Sequence, residues 1–388
     1  MNKSKLSDKI LSIAPSGSIA ISQAISELRE RGEKIIGLNV GEPDFKTPEV
    51  VLNATKKALD SGRTKYSLVS GEKELREAIS KYFFARTGSI IGPQNILVGN
   101  GSKQIIYNAF QAILNAGDEV IIPVPYWVTI PESVKLAGGV STFVDSQDDF
   151  HLDLDKIKAA INKNTKAIYI NTPNNPTGIV YNEDELLKLG EMAKENDLWI
   201  ISDEAYESLI YERKFVAINT LSEDLFERTI CIQSFSKTFC MTGFRLGYMI
   251  ANEMVIKEID KFQGHLCGNV APFTQLGAVD ALAIHEQISH PLVEEMQKRR
   301  DITFELFSKL FDCHKPEGAF YLFLDISKYI ESGKVKDSAG MVQLLIREAK
   351  VALVPGSAFG QEGYIRLAYT ASIEELKQAY EQISKVLA

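Results

Sequence analysis

A lysine set between hydroxyls and followed by an arginine is the most chemically suggestive feature of this 388-residue sequence. It lies in Ser234-Phe-Ser-Lys-Thr-Phe-Cys-Met-Thr-Gly-Phe-Arg-Leu-Gly247, directly after the apolar run 229–233. In an open α/β sheet, ligands bind beyond the carboxyl ends of strands. Ser234 and Ser236 offer two hydroxyl donors and Arg245 a bidentate guanidinium, which together would satisfy a phosphate. Lys237 stands among them. Neighbouring positive charge or partial desolvation lowers the pKa of a lysine and makes it an amine nucleophile near neutral pH. Phosphate donors around such a lysine point to an aldehyde cofactor that also bears a phosphate. A polar loop with a solvated lysine would carry the same residues.

Other segments repeat the pattern of a polar group just past an apolar run. In Leu198-Trp-Ile-Ile-Ser-Asp203-Glu-Ala-Tyr206, an acidic residue follows a strand directly. Such a carboxylate is costly unless paired. A protonated pyridine nitrogen is one suitable partner, with Tyr206 placed to donate to a phenolic oxygen; a helix-capping aspartate is the other reading. Asn171-Thr-Pro-Asn-Asn-Pro-Thr-Gly178 is an ordered, non-regular loop. Asn175, before a proline, is biased toward extended backbone that would aim its amide at a ligand. Gly99-Asn-Gly-Ser-Lys-Gln104 precedes an amphipathic helix, and the first amides of a helix form an anion site. It has neither Walker nor dinucleotide glycine spacing. Trp127, past another strand end, would stack on an aromatic cofactor or simply pack. Arg366, inside a strand, needs an anion if buried: a substrate carboxylate or an internal salt bridge.

These residues need a scaffold that brings strand ends together. Strands are predicted at 95–98, 119–122, 167–170, 198–202 and 229–233, with helices at 103–115, 183–196 and 254–263 between them. Alternation of this kind reads as α/β with a mostly parallel sheet flanked by helices. The last third differs. Long charged helices at 292–311, 338–349 and 373–387 alternate with short strands near 319–325, 351–354 and 364–368, reading as a smaller α+β domain. The division expected is an N-terminal segment, 1–45, with a strand at 34–38 and packing with the small domain; a large domain, 46–286; and a small domain, 287–388. A formal charge of −8 disfavours nucleic acid. No run approaches the roughly 20 apolar residues of a membrane span, and no secretory signal is present. Four scattered cysteines and five unclustered histidines suggest no metal and no disulfide, which suits a cytoplasmic location.

Taken together, Gly41-Glu-Pro-Asp-Phe45, Thr64-Lys-Tyr-Ser67, Pro125-Tyr-Trp127, the Asn-Asn-Pro-Thr-Gly loop, Asp203-Glu-Ala-Tyr206 and Ser-x-Ser-Lys with its following arginine resemble the class I/II aminotransferases of fold type I, specifically the aspartate aminotransferase family. The resemblance spans nearly the whole chain. It implies pyridoxal 5'-phosphate carried covalently on Lys237, which also shuttles the proton during transfer. Asp203 would hold the pyridine nitrogen protonated, and Asn175 and Tyr206 would contact the phenolic oxygen. Ser234, Ser236, Arg245 and the backbone of Gly101, Ser102 and Lys103 would hold the phosphate, with Trp127 on the ring. Arg366 would clamp the substrate α-carboxylate, Gly41 lining the same pocket. Tyr66 would reach the phosphate of a neighbouring subunit, implying a homodimer.

The implied reaction is ping-pong transfer between an L-amino acid, aspartate first, and a 2-oxo acid such as 2-oxoglutarate. Lys103 matches a lysine that some bacterial-type members direct at the side-chain carboxylate. Gln263-Gly-His-Leu-Cys-Gly-Asn269 departs from the Ser/Thr-rich stretch usual there and keeps aromatic or broad specificity open. A fold type I β-lyase would share every cofactor residue. A ligand sensor fused to a DNA-binding domain is disfavoured by charge and by the short N-terminal segment, and an oxidoreductase by the missing dinucleotide fingerprint.

Overall fold

The structure, a computed structural model, describes residues 6–15 and 17–388. Twelve strands are present among them: β1 (Ile36–Gly37), β2 (Ile96–Gly99), β3 (Glu119–Val124), β4 (Val140–Asp145), β5 (Thr165–Asn171), β6 (Trp199–Asp203), β7 (Thr229–Ser234), β8 (Gly247–Ile250), β9 (Tyr321–Asp325), β10 (Val351–Ala352), β11 (Val354–Pro355) and β12 (Tyr364–Ala368). Seven of them form one sheet in the order β2-β8-β7-β6-β5-β3-β4. Strands β4, β3, β5, β6 and β7 pair in parallel, and β8 runs antiparallel between β7 and β2.

The sequence dictates this arrangement through burial. The central runs are apolar on both faces, and β2, β7 and β8 are buried throughout. A strand of that kind needs helices on each side. The helix Ser102–Ile113 supplies one cover, burying Ile105, Ile106, Ala109, Phe110 and Ile113 at helical spacing. The helix Glu183–Glu195 supplies another on Leu186, Leu189 and Ala193, behind a capping box from Asn182 and Glu185. Only β4, at the sheet edge, is largely open to solvent.

A second sheet is antiparallel, ordered β11-β12-β9. Beside it, β1 pairs in parallel with β10. Leu38, Leu322, Leu324, Leu367, Leu376 and Ile383 share one apolar cluster there, and Tyr206 and Leu209 from the first sheet's edge enter it.

Several boundaries differ from the sequence reading. The run 351–354 is two strands in two sheets, β10 pairing with β1 and β11 with β12 on either side of Leu353. The long helix begins at His285, with Pro291 inside it, so proline does not mark its start. The helix from Ser338 ends in a wider turn, Leu345–Ala349. Strands β4 and β8 lie outside the predicted set. Helix Ile373–Leu387 and strand Tyr364–Ala368 fall on their expected residues.

Candidate active site

The carboxyl edge of the seven-stranded sheet delivers the polar groups. β6 ends in Asp203, β5 in Asn171, β7 in Ser234, and β2 leads through Gly99 into the helix that starts at Ser102. Because β8 is antiparallel, its beginning lies at this same edge, where Gly247 pairs with both Ser234 and Gly99. Arg245, just ahead of it, is therefore brought to the strand ends by topology. A cavity of about 330 Å3 opens there, a size usual for small-molecule sites. Its walls include Gly41, Ser102, Lys103, Trp127, Asn175, Asp203, Tyr206, Ser234, Ser236, Lys237, Arg245 and Arg366.

At one end the donors suit an anion. Ser234 caps the short helix Phe235–Thr238 by accepting from the Ser236 amide at 3.1 Å, which fixes the Ser234 hydroxyl at the helix start. Gly101 is left-handed, with φ 83°, and a Cβ there would fall 2.6 Å from Arg245 Nη2. Only glycine lets the guanidinium approach the first turn of the helix, whose leading amides have no intrahelical acceptor. Arg245 is itself left-handed at φ 52°, a conformation that costs a non-glycine residue on the order of 1 kcal/mol. Its Nη1 donates to the Thr242 carbonyl at 3.0 Å, which holds the side chain across the cradle.

In the middle, Lys237 Nζ donates to the Gly41 carbonyl at 2.6 Å. Burial, aided by Arg366 and Arg245 and opposed by Glu42, pulls its pKa down to about 8. Burial pushes the Asp203 carboxyl up to about 6. Its stabilising contacts are few: the Ala205 amide and the Tyr169 hydroxyl, each at 3.2 Å. A carboxylate so enclosed and thinly solvated calls for a cationic partner. Asn171 ties the neighbouring loop to β6 by donating to the Asp203 carbonyl at 2.9 Å and accepting from the Asn175 amide at 2.8 Å.

The far wall comes from the second sheet. Arg366, on β12, is buried. It donates to Asn175 Oδ1 at 2.8 Å and to the Asn39 carbonyl at 2.7 Å, while its buried Nε has no hydrogen-bond partner among the described residues. It forms no salt bridge to a carboxylate among those residues, so the internal ion pair considered from sequence is not what holds it. Lys103 Nζ lies 5.3 Å from the Trp127 ring centroid, and burial, then Arg245, lowers its pKa. Trp127 both lines the cavity and packs against the core cluster beneath the helix Ser102–Ile113. Tyr66 does not line this cavity; its side chain is 99% exposed.

Six wall residues went unpredicted as ligand contacts: Asn39, Val40, Asn171, Ala205, Thr242 and Tyr321. Ala205 and Thr242 sat within motifs already noted and only their roles were missed. Tyr321 lies remote in sequence from every motif that signals chemistry, whereas Asn39 and Val40 immediately precede Gly41-Glu-Pro-Asp-Phe45 and only their part in the wall was missed. The arrangement can hold an anion at one end, a protonated ring nitrogen at Asp203 and a carboxylate at Arg366, with a partly neutral amine between them.

A family model described as "Aminotransferase class I and II" matches residues 33–383. The chain is 40% identical to an aspartate aminotransferase of Bacillus subtilis, over 98% of each. It is 41% identical to a probable aspartate/prephenate aminotransferase of Aquifex aeolicus, again over 98% of each. A solved aspartate aminotransferase from Thermus thermophilus with maleate superposes with a TM-score of 0.93 at 36% identity, covering all of both chains.

Proposed function

The chain belongs to the class I and II aminotransferases and is a transaminase; from that premise we propose that it exchanges the amino group of L-aspartate with 2-oxoglutarate, using pyridoxal 5'-phosphate bound at the cavity around Lys237. Enzymes of this family use that cofactor. The observation that carries the proposal is a half-buried lysine, its pKa drawn down to about 8, sharing one cavity with a thinly hydrogen-bonded buried carboxylate and an anion cradle.

The residues fit the group. Ser234, Ser236, Arg245 and the backbone of Gly101, Ser102 and Lys103 would take the phosphate, and Trp127 the ring face. Asp203 would pair with the ring nitrogen, and Tyr206 and Asn175 with the phenolic oxygen. When bound, the cofactor supplies the electron sink and carries the amino group. Arg366 binds the α-carboxylate through its guanidinium, with Gly41 alongside, and so orients the substrate Cα. Lys237, partly in the free-amine form near neutral pH, accepts the Cα proton at Nζ and returns it on the other side of the transfer. Asp203 keeps the proton on the ring nitrogen. One oxo acid leaves before the next enters, and the same steps in reverse make the second amino acid. Lys103, beside Trp127, directs a side-chain carboxylate and thereby favours aspartate.

Three further readings accompany this one. Residues 46–286 form a large domain and 287–388 a small one, with 1–45 joining the small domain; the β1–β10 pairing and the place of Leu38 in the second cluster support that grouping. The enzyme works as a homodimer in which Tyr66 serves the partner's site. It resides in the cytoplasm, consistent with four unpaired cysteines; no helix among the described residues is long and apolar enough to cross a membrane.

The test is the visible spectrum of purified, cofactor-loaded protein before and after L-aspartate without an oxo acid. A visible band that aspartate bleaches, and that a 2-oxo acid restores, supports the cofactor and the donor together. A band that only aromatic amino acids bleach moves the specificity away from aspartate. Lys237→Ala is expected to lose the band and to lower turnover by at least about 10^4-fold. Wild-type turnover in that variant overturns the assignment.

A further inference from the structure

We infer that Tyr321 is a positioning residue of this site, setting the donor strength of Tyr206 through its hydroxyl and the attitude of Arg366 through its ring. The inference rests on the cofactor site proposed above.

Tyr321 begins β9 in the second sheet, yet its side chain is buried in the wall of the cavity made by the first. Its hydroxyl lies 2.8 Å from that of Tyr206. It is wedged against Gly41, where a Cβ would fall 1.9 Å from Tyr321 Oη; the carbonyl of that glycine receives the Lys237 amine. The Arg366 guanidinium carbon sits 4.4 Å from the Tyr321 ring centroid, a cation–π distance. One side chain thus touches the groups proposed for the phenolic oxygen, the α-carboxylate and the lysine's resting contact.

Each phenol has one hydrogen to give. When Tyr206 donates into the cavity, its oxygen is left to accept from Tyr321, and the chain runs from Tyr321 through Tyr206 to the cofactor. A hydroxyl that accepts a hydrogen bond becomes a stronger donor. The other charged or titratable groups facing Tyr206 are Asp203 and Tyr169 from the first sheet and Arg366 from the second, with Lys237 lining the same cavity. Tyr321 alone is hydrogen-bonded to the Tyr206 hydroxyl among the described residues. The ring of Tyr321, with that of Phe359 4.9 Å from the same guanidinium carbon, meanwhile gives Arg366 a flat seat with no competing anion, its neutral partners being Asn175 and Asn39.

The experiment follows the pH midpoint at which the visible band of the cofactor-loaded protein interconverts. Tyr206→Phe removes the direct donor and raises that midpoint, because an oxygen anion left without its hydrogen bond holds a nearby proton more tightly. Tyr321→Phe is expected to raise it in the same direction by about half a pH unit or less, with the KM for aspartate nearly unchanged. Adding Tyr321→Phe to Tyr206→Phe should move it no further. Tyr321→Leu, which also removes the ring, should raise that KM by roughly tenfold. Site-specific 3-fluorotyrosine at position 321, a better donor that keeps the side chain's size, should shift the midpoint downward and stands in should Tyr321→Phe not fold. A midpoint unmoved by Tyr321→Phe while Tyr206→Phe shifts it, or an equal shift in both backgrounds, overturns the inference alone. A parent protein with no visible band overturns the underlying cofactor reading instead.

Discussion

Burial lifts the Asp203 carboxyl to about 6 from an ordinary 3.8. At about 1.4 kcal/mol per pH unit, the cofactor-free protein carries a cost of roughly 3 kcal/mol above that pH. The sign follows from linkage: a folded state that binds the proton more tightly than the unfolded one loses stability as pH rises between the two values, then stays level. Asp203→Asn has no proton to lose, so its cofactor-free stability should fall less steeply across this window than the parent's, the slope from neighbouring buried Glu204, lifted to about 7, remaining, and should exceed the parent's at neutral pH by up to about 3 kcal/mol. Turnover should collapse, since a neutral amide cannot hold the ring nitrogen protonated. Urea unfolding from acid to neutral pH reads this directly, and a parent-like slope in the variant would falsify the assignment of the cost to Asp203. Asp203 and Lys237 were legible in the sequence because each directly follows an apolar strand. Tyr321 was not. Its hydroxyl partner is 115 residues away, and nothing local to a Gly-Ala-Phe-Tyr strand says that the ring faces Tyr206, Gly41 and Arg366.

At the scale of elements, the alternation of apolar runs with amphipathic helices carried most of the central sheet, because strands buried on both faces leave an unmistakable composition. The exceptions have physical causes. β8 is short and opens on Gly247-Tyr248, and it is placed by pairing with β7 and β2 rather than by its own pattern; β4 is an edge with little to bury. Missing β8 also hid the reason Arg245 reaches the cradle at the start of the helix Ser102–Ile113, which is the reversed direction of that strand. The turn between β2 and its helix makes the complementary demand. Gly101→Ala must strain a left-handed residue and push Arg245 aside, at about 1 kcal/mol for the backbone. Cofactor retention should weaken by roughly 10-fold or more as the guanidinium leaves the cradle, while the apparent Tm of the cofactor-free protein falls only about 1–2 °C. Gly88→Ala is the control: also left-handed at φ 74° but facing open space, it should show the same modest Tm loss with unaltered retention, measured by equilibrium dialysis. Equal retention in both variants would remove the cradle from cofactor binding.

For the whole molecule, the feature that a single chain does not account for is the face around Tyr66. Its ring is 99% exposed, and Leu68, Leu59 and Leu52 are also open to solvent, although the segment carrying them ties into the core: the Ser70 carbonyl accepts from the Val98 amide at 2.9 Å. Residues 64–67 were read from sequence as a motif, but a motif does not say which copy of the chain it serves. If Tyr66 completes the phosphate cradle of a partner, damage to Tyr66 and damage to Lys237 fall in different active sites of one dimer. Lys237→Ala homodimers should be inactive, and Tyr66→Ala homodimers should lose cofactor and work poorly when it is limiting. Unfolding and refolding the two variants together forms mixed dimers. In each of these, one site has an intact Lys237 from its own chain and an intact Tyr66 from the other, while the second site has neither. Random pairing makes half the dimers mixed, each with one good site, so activity should return to roughly a quarter of the parent level. Recovery of that size requires both the dimer and the exchange of Tyr66 across it. Mixed dimers demonstrated by mass, but no more active than the two variants measured apart, would mean that Tyr66 acts within its own chain or not at all.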